Sequence, residues 1–125
     1  MRRRQMKILL VDDDHSVRDV VRAMLTGMGC EVFSYDSKAQ GVCGVLEAKA
    51  CGARIDAVIS DYELGDGFGT SVLEVAGDLF PDAVRVLMSG SADADPRASQ
   101  HFLPKPFGSD ELRRVLPTGK VSRTA

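Results

Sequence analysis

The chain has 125 residues, 44% of them hydrophobic and 27% charged, which suits one soluble domain with a buried core. Its net charge of −2 argues against direct nucleic-acid binding, which needs a strongly basic surface. No apolar run approaches the length of a membrane span or a signal-peptide core, and the unpaired spacing of the three cysteines is typical of reduced cytosolic thiols. We therefore expect a single cytoplasmic domain without a membrane partner, with a core over about residues 6–116 and loose termini at 1–5 and 117–125.

The beginning of the chain predicts a buried strand followed by a helix. Residues 7–11 are a continuous apolar run, as in a parallel sheet covered on both faces, and three aspartates follow them. Apolar residues then recur at helical spacing over residues 17–28. Either Asp14 or Ser16 can cap this helix, and the sequence leaves both possibilities open.

A second strand is predicted at residues 31–35, and a weaker helix follows it. Two glycines lower the intrinsic stability of this helix, and Gly52 ends it. The apolar residues predicted to face the core are Ala39, Val42, Cys43 and Leu46.

The centre of the chain delivers one carboxylate into a flexible loop. Residues 57–60 predict a short buried strand, and Asp61 stands at its end. Three glycines within residues 65–69 leave the following backbone free to turn. A third helix is predicted to begin at Thr70 or Ser71 and to stop before the next proline.

The last third of the chain predicts two more strands. Residues 85–88 form the fourth, and residues 102–103 form a very short fifth. The stretch 92–100 is a poor helix former, with room for two turns at most. Ser109 is predicted to cap a final helix that Pro117 ends.

Strand and helix thus alternate five times, which predicts an α/β fold: an open parallel sheet with helices on both faces. In such a fold the carboxyl ends of the strands meet at one edge of the sheet, where ligands bind. The residues that would meet there are Asp12, Asp13, Asp61, Ser89 and Lys105. Three clustered carboxylates need a cation, and an open, oxygen-rich site suits Mg²⁺. A hydroxyl and an ammonium beside them would hold phosphoryl oxygens while an aspartate attacks phosphorus.

The sequence resembles the receiver domain of two-component response regulators. The resemblance is carried by four segments in the family's order, residues 8–13, 59–61, 87–90 and 103–107, and it covers about residues 6–116. It implies a doubly wound, flavodoxin-like sheet of strand order 2-1-3-4-5. It also implies a phosphoryl switch rather than a turnover enzyme, with only self-phosphorylation and self-dephosphorylation chemistry.

The resemblance implies a role for each acid. Asp61 would be the phosphoacceptor. Asp12, Asp13 and Asp61 would bind Mg²⁺, with the main-chain carbonyl of Glu63 as a further ligand. The phosphoryl donor would be a sensor histidine kinase or a phosphotransfer protein.

The resemblance also implies switch residues and one unusual peptide bond. Lys105 would pair with Asp61 and then with the phosphoryl group, and Ser89 would bond a phosphoryl oxygen. Phe102 would occupy the family's aromatic switch position, although a plain core phenylalanine fits the sequence equally well. The bond between Lys105 and Pro106 is expected to be cis.

The sequence departs from the family pattern in one segment and at two positions, Glu63 and Phe102, the second because it lacks a tyrosine's hydroxyl group. Lys105 follows Ser89 by only 16 positions, so the family's fourth helix must be short or absent. The partner surface that this helix usually helps to form is then in question. The charge of Glu63 at the mouth of the site has either of two effects: hindering an anionic donor or orienting a hydrolytic water.

Two other functions fit part of the pattern. A small Mg²⁺-dependent phosphohydrolase would use acids two positions apart, as Asp12 and Asp14 are, but would leave Asp61 without a role. A receiver-like interaction module that acts without phosphorylation would tolerate a missing fourth helix. The output partner stays open, as does whether the chain is a free-standing receiver or a piece of a longer regulator or hybrid kinase.

Overall fold

A computed structural model of the chain describes residues 5–117, so the predicted loose termini lie outside the described residues apart from Gln5 and Pro117. The elements in chain order are β1 (Lys7–Val11), α1 (His15–Gly27), β2 (Glu31–Tyr35), α2 (Lys38–Ala50), β3 (Ala57–Asp61), β4 (Glu63–Leu64), β5 (Gly67–Phe68), α3 (Gly69–Leu79), β6 (Val84–Ser89), β7 (His101–Pro104) and α4 (Ser109–Val115). None of the described helices is long and apolar enough to cross a membrane.

Five parallel strands form the sheet, in the order β2-β1-β3-β6-β7. This is the predicted order 2-1-3-4-5, because the two remaining strands form a separate small hairpin. Helices α1 and α4 pack on one face of the sheet, where Leu25 and Leu112 are fully buried. Helices α2 and α3 pack on the other face, around Val45 and Leu73. The doubly wound fold expected from the alternating pattern is therefore confirmed.

The start of α1 decides between the two predicted caps. Asp14 is the cap, because its carboxylate accepts a hydrogen bond from the amide of Val17 at 3.1 Å. Ser16 lies inside the helix instead. Of the three aspartates after β1, Asp14 therefore caps the helix, and only Asp12 and Asp13 belong to the acidic cluster.

Helix α2 packs through a face that overlaps the predicted one only in part: Val42 packs against the core, but Ala39 is exposed. Cys43 is exposed, and Leu46 is 49% exposed, so the prediction that they face the core is wrong. The buried positions include Gly41 and Gly44, where an added Cβ atom would lie 2.8 Å from a Val11 methyl carbon and 2.5 Å from the Tyr35 ring. The helix uses glycines to approach the sheet closely, a choice that apolar periodicity does not detect.

The loop after Asp61 contains a hairpin that the sequence did not indicate. Strands β4 and β5 pair antiparallel over two residues each, with Gly65 and Asp66 between them. Helix α3 then begins at Gly69, one residue before the earliest predicted start. An added Cβ atom at Gly69 would collide with the backbone carbonyl oxygen of Asp61, so this glycine lets the helix start directly against the end of β3.

The fourth helix of the family pattern, predicted to be short or absent, is absent from the described segment 90–100. Arg85 holds this segment against the sheet: its Nε atom donates to the carbonyl of Ala98 at 2.9 Å, and its own carbonyl accepts from the Gln100 amide at 2.8 Å. The chain thus crosses from β6 to β7 through turns instead of a helix.

The last helix begins as expected, but its cap differs from the predicted one. Ser109 is the first helical residue, and the cap is Gly108, whose amide donates to the Glu111 carboxylate at 3.0 Å. The Glu111 side chain therefore does the capping that was assigned to the serine hydroxyl.

Candidate functional site

Two adjacent strands bring the three acids together. Strands β1 and β3 are neighbours, and Val11 is in register with Ser60, so the residues that follow each, Asp12 and Asp61, lie side by side. Carboxylate oxygens of Asp12, Asp13 and Asp61 all lie within 4.8 Å of one another. Asp12 is fully buried, Asp61 is partly buried and Asp13 is exposed, so the cluster opens to solvent on one side.

Lys105 reaches the same cluster from the end of the sheet. Its Nζ atom lies 3.1 Å from Oδ2 of Asp12 and 3.1 Å from Oδ1 of Asp61, and its side chain is only 20% exposed. The Lys105–Pro106 peptide bond is cis, as expected. The ammonium therefore bridges two carboxylates that would otherwise repel each other at close range.

Backbone and guanidinium groups that the sequence did not single out hold the acids in place. The Tyr62 amide donates to Oδ1 of Asp61 at 3.0 Å, and the Asp14 amide donates to Oδ1 of Asp12 at 2.9 Å. Arg18, one turn into α1, donates to the main-chain carbonyl of Asp12 at 2.8 Å. Every residue except proline has a backbone amide, so the sequence does not show which amides bind the acids. The sequence pattern around Arg18 is that of an ordinary exposed helix residue, so its contact could not be predicted either.

Burial raises the pKa of Asp61 above its ordinary value of 3.8, and the charge of Asp12 raises it further. The Lys105 ammonium and the Tyr62 amide oppose this rise without cancelling it. Burial alone would lower the pKa of Lys105, but its attraction to Asp12 and Asp61 outweighs burial and raises the pKa above 10.5. Lys105 is thus a cation at neutral pH, and it faces an excess of negative charge.

The donor chemistry of the cluster fits a hard divalent cation. Three carboxylates outnumber the single ammonium, and their oxygens are close enough to share one ion. The exposed side at Asp13 leaves room for retained water, which Mg²⁺ prefers to keep.

Ser89 ends β6, next to the strand that carries Asp61. Met88 is in register with Asp61, so Ser89 lies one position beyond it at the same sheet edge. Its side chain is nearly buried, and its hydroxyl oxygen accepts from the Ser91 amide at 2.9 Å. Its carbonyl accepts from the Lys105 amide at 2.8 Å, which ties the two predicted phosphoryl-binding residues together through the backbone.

Two further predicted residues lie outside the acidic cluster. Glu63 is exposed on the first strand of the hairpin that follows Asp61. Phe102 on β7 is 37% exposed, so its interpretation as a buried core phenylalanine is wrong. Their predicted roles, as a carbonyl ligand and as an aromatic switch, stay predictions.

The chain matches a known domain family over most of its length. A family model described as the response regulator receiver domain matches residues 8–116. The chain belongs to the response regulator receiver family. The receiver motifs identified in the sequence and the observed sheet order agree with this assignment.

The curated relatives that the chain matches are longer transcriptional regulators. The chain is 30% identical to the DNA-binding transcriptional regulator NtrC of Proteus hauseri over 117 residues, covering 87% of this chain and 23% of NtrC. It is 31% identical over 114 residues to the KDP operon transcriptional regulatory protein KdpE of Escherichia coli, covering 87% of this chain and 48% of KdpE. It thus spans about a quarter to a half of the length of these relatives.

A solved structure extends the likeness to a metal-bound state of another regulator. The response regulator TrrA of Thermotoga maritima, in complex with Mg(2+)-BeF, matches with a TM-score of 0.72 at 25% identity. The match covers 88% of this chain and 95% of the other.

The raised pKa of Asp61 predicts a pH-dependent stability. Its carboxyl group binds a proton more tightly in the folded state, so its contribution to stability is present below pH 3.8 and is lost as the pH rises through the raised pKa. We therefore expect Asp61→Asn to increase the free energy of unfolding of the metal-free protein near neutral pH, and the gain to shrink on acidification. Urea denaturation in a chelator at several pH values measures this. An equal gain at every pH, or one shared by Asp78→Asn on the surface of α3, would contradict it.

Proposed function

We propose that the chain is a single receiver domain that accepts a phosphoryl group on Asp61 in a Mg²⁺-dependent reaction and thereby switches a partner-binding surface. The observation that carries the proposal is the position of the Lys105 ammonium, 3.1 Å from the carboxylates of both Asp61 and Asp12. In this reaction the Asp61 carboxylate would be the nucleophile, and the ammonium beside it would bind the phosphoryl group.

The side chains in the site have distinct tasks in this reaction. An Asp61 oxygen attacks phosphorus, and the bond from phosphorus to the donor breaks, so that the donor leaves with the electron pair. Lys105 keeps contact with Asp61 and offers its remaining hydrogens to the phosphoryl oxygens. Ser89 can donate its hydroxyl hydrogen to the phosphoryl group while still accepting from Ser91, because a hydroxyl both donates and accepts.

Asp12, Asp13 and Asp61 would hold the magnesium ion, with the Glu63 carbonyl as a further ligand. When bound, the ion supplies positive charge that offsets the charge gathered between donor and acceptor oxygens. The Mg(2+)-BeF complex of TrrA supports the choice of this metal. The cluster's three oxygens within 4.8 Å support the choice of these ligands.

The donor would be a sensor histidine kinase or a phosphotransfer protein, as is general for the family. The added charge would draw Ser89 toward Asp61 and shift the turns at 90–100 that follow it. Because no fourth helix lies in that described segment, the responding surface would be built by turns held by Arg85. NtrC and KdpE are transcriptional regulators by name, so a DNA-binding partner or neighbouring domain is one candidate for the output.

Intact-protein mass spectrometry tests the proposal. With acetyl phosphate and Mg²⁺, the wild-type protein is expected to gain the mass of one phosphoryl group, and Asp61→Asn is expected to gain none. No adduct on the wild type, with saturable Mg²⁺ binding absent as well, would favour a phosphorylation-independent interaction module. Sustained hydrolysis of p-nitrophenyl phosphate would favour the phosphohydrolase.

A further inference from the structure

We propose that Asp66 is a positioning residue for the reaction at Asp61: by accepting the first two amide hydrogens of α2, it fixes the hairpin that borders the acidic site. The inference rests on the proposed phosphorylation function. It concerns a residue outside the acidic cluster that carries none of the roles implied by the resemblance.

Asp66 reaches across the structure to the beginning of another element. It lies at the turn of the β4–β5 hairpin, and its two carboxylate oxygens accept from the amides of Lys38 at 2.7 Å and Ala39 at 2.9 Å. Helix α2 already has a local cap, since Ser37 accepts from the Gln40 amide at 3.1 Å. The remaining free amides of the first turn are thus served by a residue 27 and 28 positions away in the chain.

The contact between hairpin and helix has a second component. An added Cβ atom at Gly67 would lie 2.8 Å from the Lys38 side chain, so the aliphatic stem of Lys38 covers the backbone of the hairpin. Gly67 also adopts a φ of +151°, a conformation that favours glycine. The turn is therefore held from both sides: Asp66 bonds to the helix backbone, and Lys38 packs over the following residue.

The other end of the hairpin is part of the site. The Tyr62 amide binds the Asp61 carboxylate, and the Tyr62 carbonyl accepts from the Gly69 amide at 2.7 Å, which closes the loop at its base. At the turn, an added Cβ atom on Gly65 would lie 3.7 Å from an Asp13 carboxylate oxygen. The hairpin that carries Glu63 thus begins directly after the residue that binds Asp61, and its turn lies close to Asp13.

The first strand of the hairpin is anchored by buried Leu64, and the turn is anchored by Asp66. Each of its strands contributes two residues, and an isolated two-stranded hairpin is marginal in water. Both oxygens of Asp66 are engaged, and the bonds from Ala39 and Lys38 hold its pKa below the ordinary value, so it acts as a carboxylate at neutral pH. Its two hydrogen bonds to the packed helix α2 set the position of the hairpin turn relative to the acidic cluster.

Three variants separate hydrogen-bond geometry from charge. Asp66→Ala removes both, Asp66→Glu keeps the charge but misplaces the oxygens, and Asp66→Asn loses the charge but keeps one acceptor. Asp78→Ala is the matched control, because Asp78 is an exposed acid near the end of α3 that leads away from the site. The readouts are the Mg²⁺ dissociation constant by calorimetry, the acetyl phosphate reaction rate at saturating Mg²⁺, and hydrogen exchange of the Lys38 and Ala39 amides.

We expect Asp66→Ala and Asp66→Glu to weaken Mg²⁺ binding by about tenfold, as loss of an outer supporting contact does. Asp66→Asn should fall between these variants and the wild type, and Asp78→Ala should match the wild type. The two α2 amides should exchange faster in the Ala and Glu variants.

Two outcomes would overturn the inference. Faster exchange with unchanged Mg²⁺ affinity and rate would make Asp66 a helix cap only. Equal losses in the Ala and Asn variants, with none in the Glu variant, would assign the effect to charge instead of position. If the wild type binds Mg²⁺ but forms no phosphoryl adduct, the proposed function fails, while the Mg²⁺ comparison still decides the role of Asp66.

Discussion

Replacing Lys105 with methionine is expected to slow phosphorylation and, at the same time, to tighten Mg²⁺ binding. The ammonium lies 3.1 Å from carboxylates of both Asp12 and Asp61, so it is available to stabilise charge on the transferring group. Loss of one such preorganised donor typically costs about 10²–10³ in rate. The acids would meanwhile lose the cation that competes with the metal, so their affinity for Mg²⁺ should rise.

The opposite directions of these two effects make the test specific. Phosphoryl incorporation measured over time gives the rate, and calorimetric titration gives the affinity. Lys7→Met is the matched control, because Lys7 pairs with Glu31 at the start of β1, at the other end of the sheet, and should change neither quantity. Weaker Mg²⁺ binding in Lys105→Met, or a rate equal to that of the wild type, would contradict the role given to the ammonium.

Gly69→Ala is expected to damage both the fold and the site. The new methyl group would collide with the main-chain carbonyl of Asp61 and with the Ser60 hydroxyl, and a backbone atom cannot rotate away. Overpacking of this kind costs about 1–3 kcal/mol, and the better helix propensity of alanine returns about 1 kcal/mol at most. Because Asp61 itself must shift, Mg²⁺ affinity and phosphorylation should fall together with stability.

Urea denaturation and Mg²⁺ titration of the same samples check this prediction. Gly27→Ala is the control: it also lies at a helix end, but nothing stands within 4 Å of its added Cβ atom. It should leave the site unchanged and the stability equal or slightly higher. A Gly69→Ala protein as stable as Gly27→Ala, with unaltered Mg²⁺ binding, would show that the start of α3 does not constrain Asp61.

The ends of the first two strands could be predicted because each strand is a mostly apolar run that stops at turn-forming residues. Residues 7–11 and 31–35 are bounded by aspartates or glycine and proved to be strands β1 and β2 with those limits. Parallel pairing then forces Asp12 and Asp61 to the same edge, whatever the loops do. The short spacing from Ser89 to Lys105 likewise predicted a short or absent helix, and in the structure turns fill this segment.

The predictions that failed have a physical cause in common. They concern glycines, backbone amides and very short strands, none of which leaves an apolar pattern in the sequence. Helix α2 approaches the sheet through Gly41 and Gly44, and two residues predicted to face the core, Cys43 and Leu46, are exposed instead. The β4–β5 hairpin has strands too short for alternation to be visible. Asp66 read as a loop residue because its partners are backbone amides of a distant helix.

Chemical mapping of the phosphorylated residue tests the central claim most directly. Borohydride reduces an aspartyl phosphate to homoserine, which peptide mass spectrometry locates in the sequence. After treatment with acetyl phosphate and Mg²⁺, homoserine is expected at position 61 and at neither Asp12 nor Asp13. Homoserine at position 12 would instead point to the phosphohydrolase arrangement, and a protein that gains no homoserine at residue 61 would contradict the account.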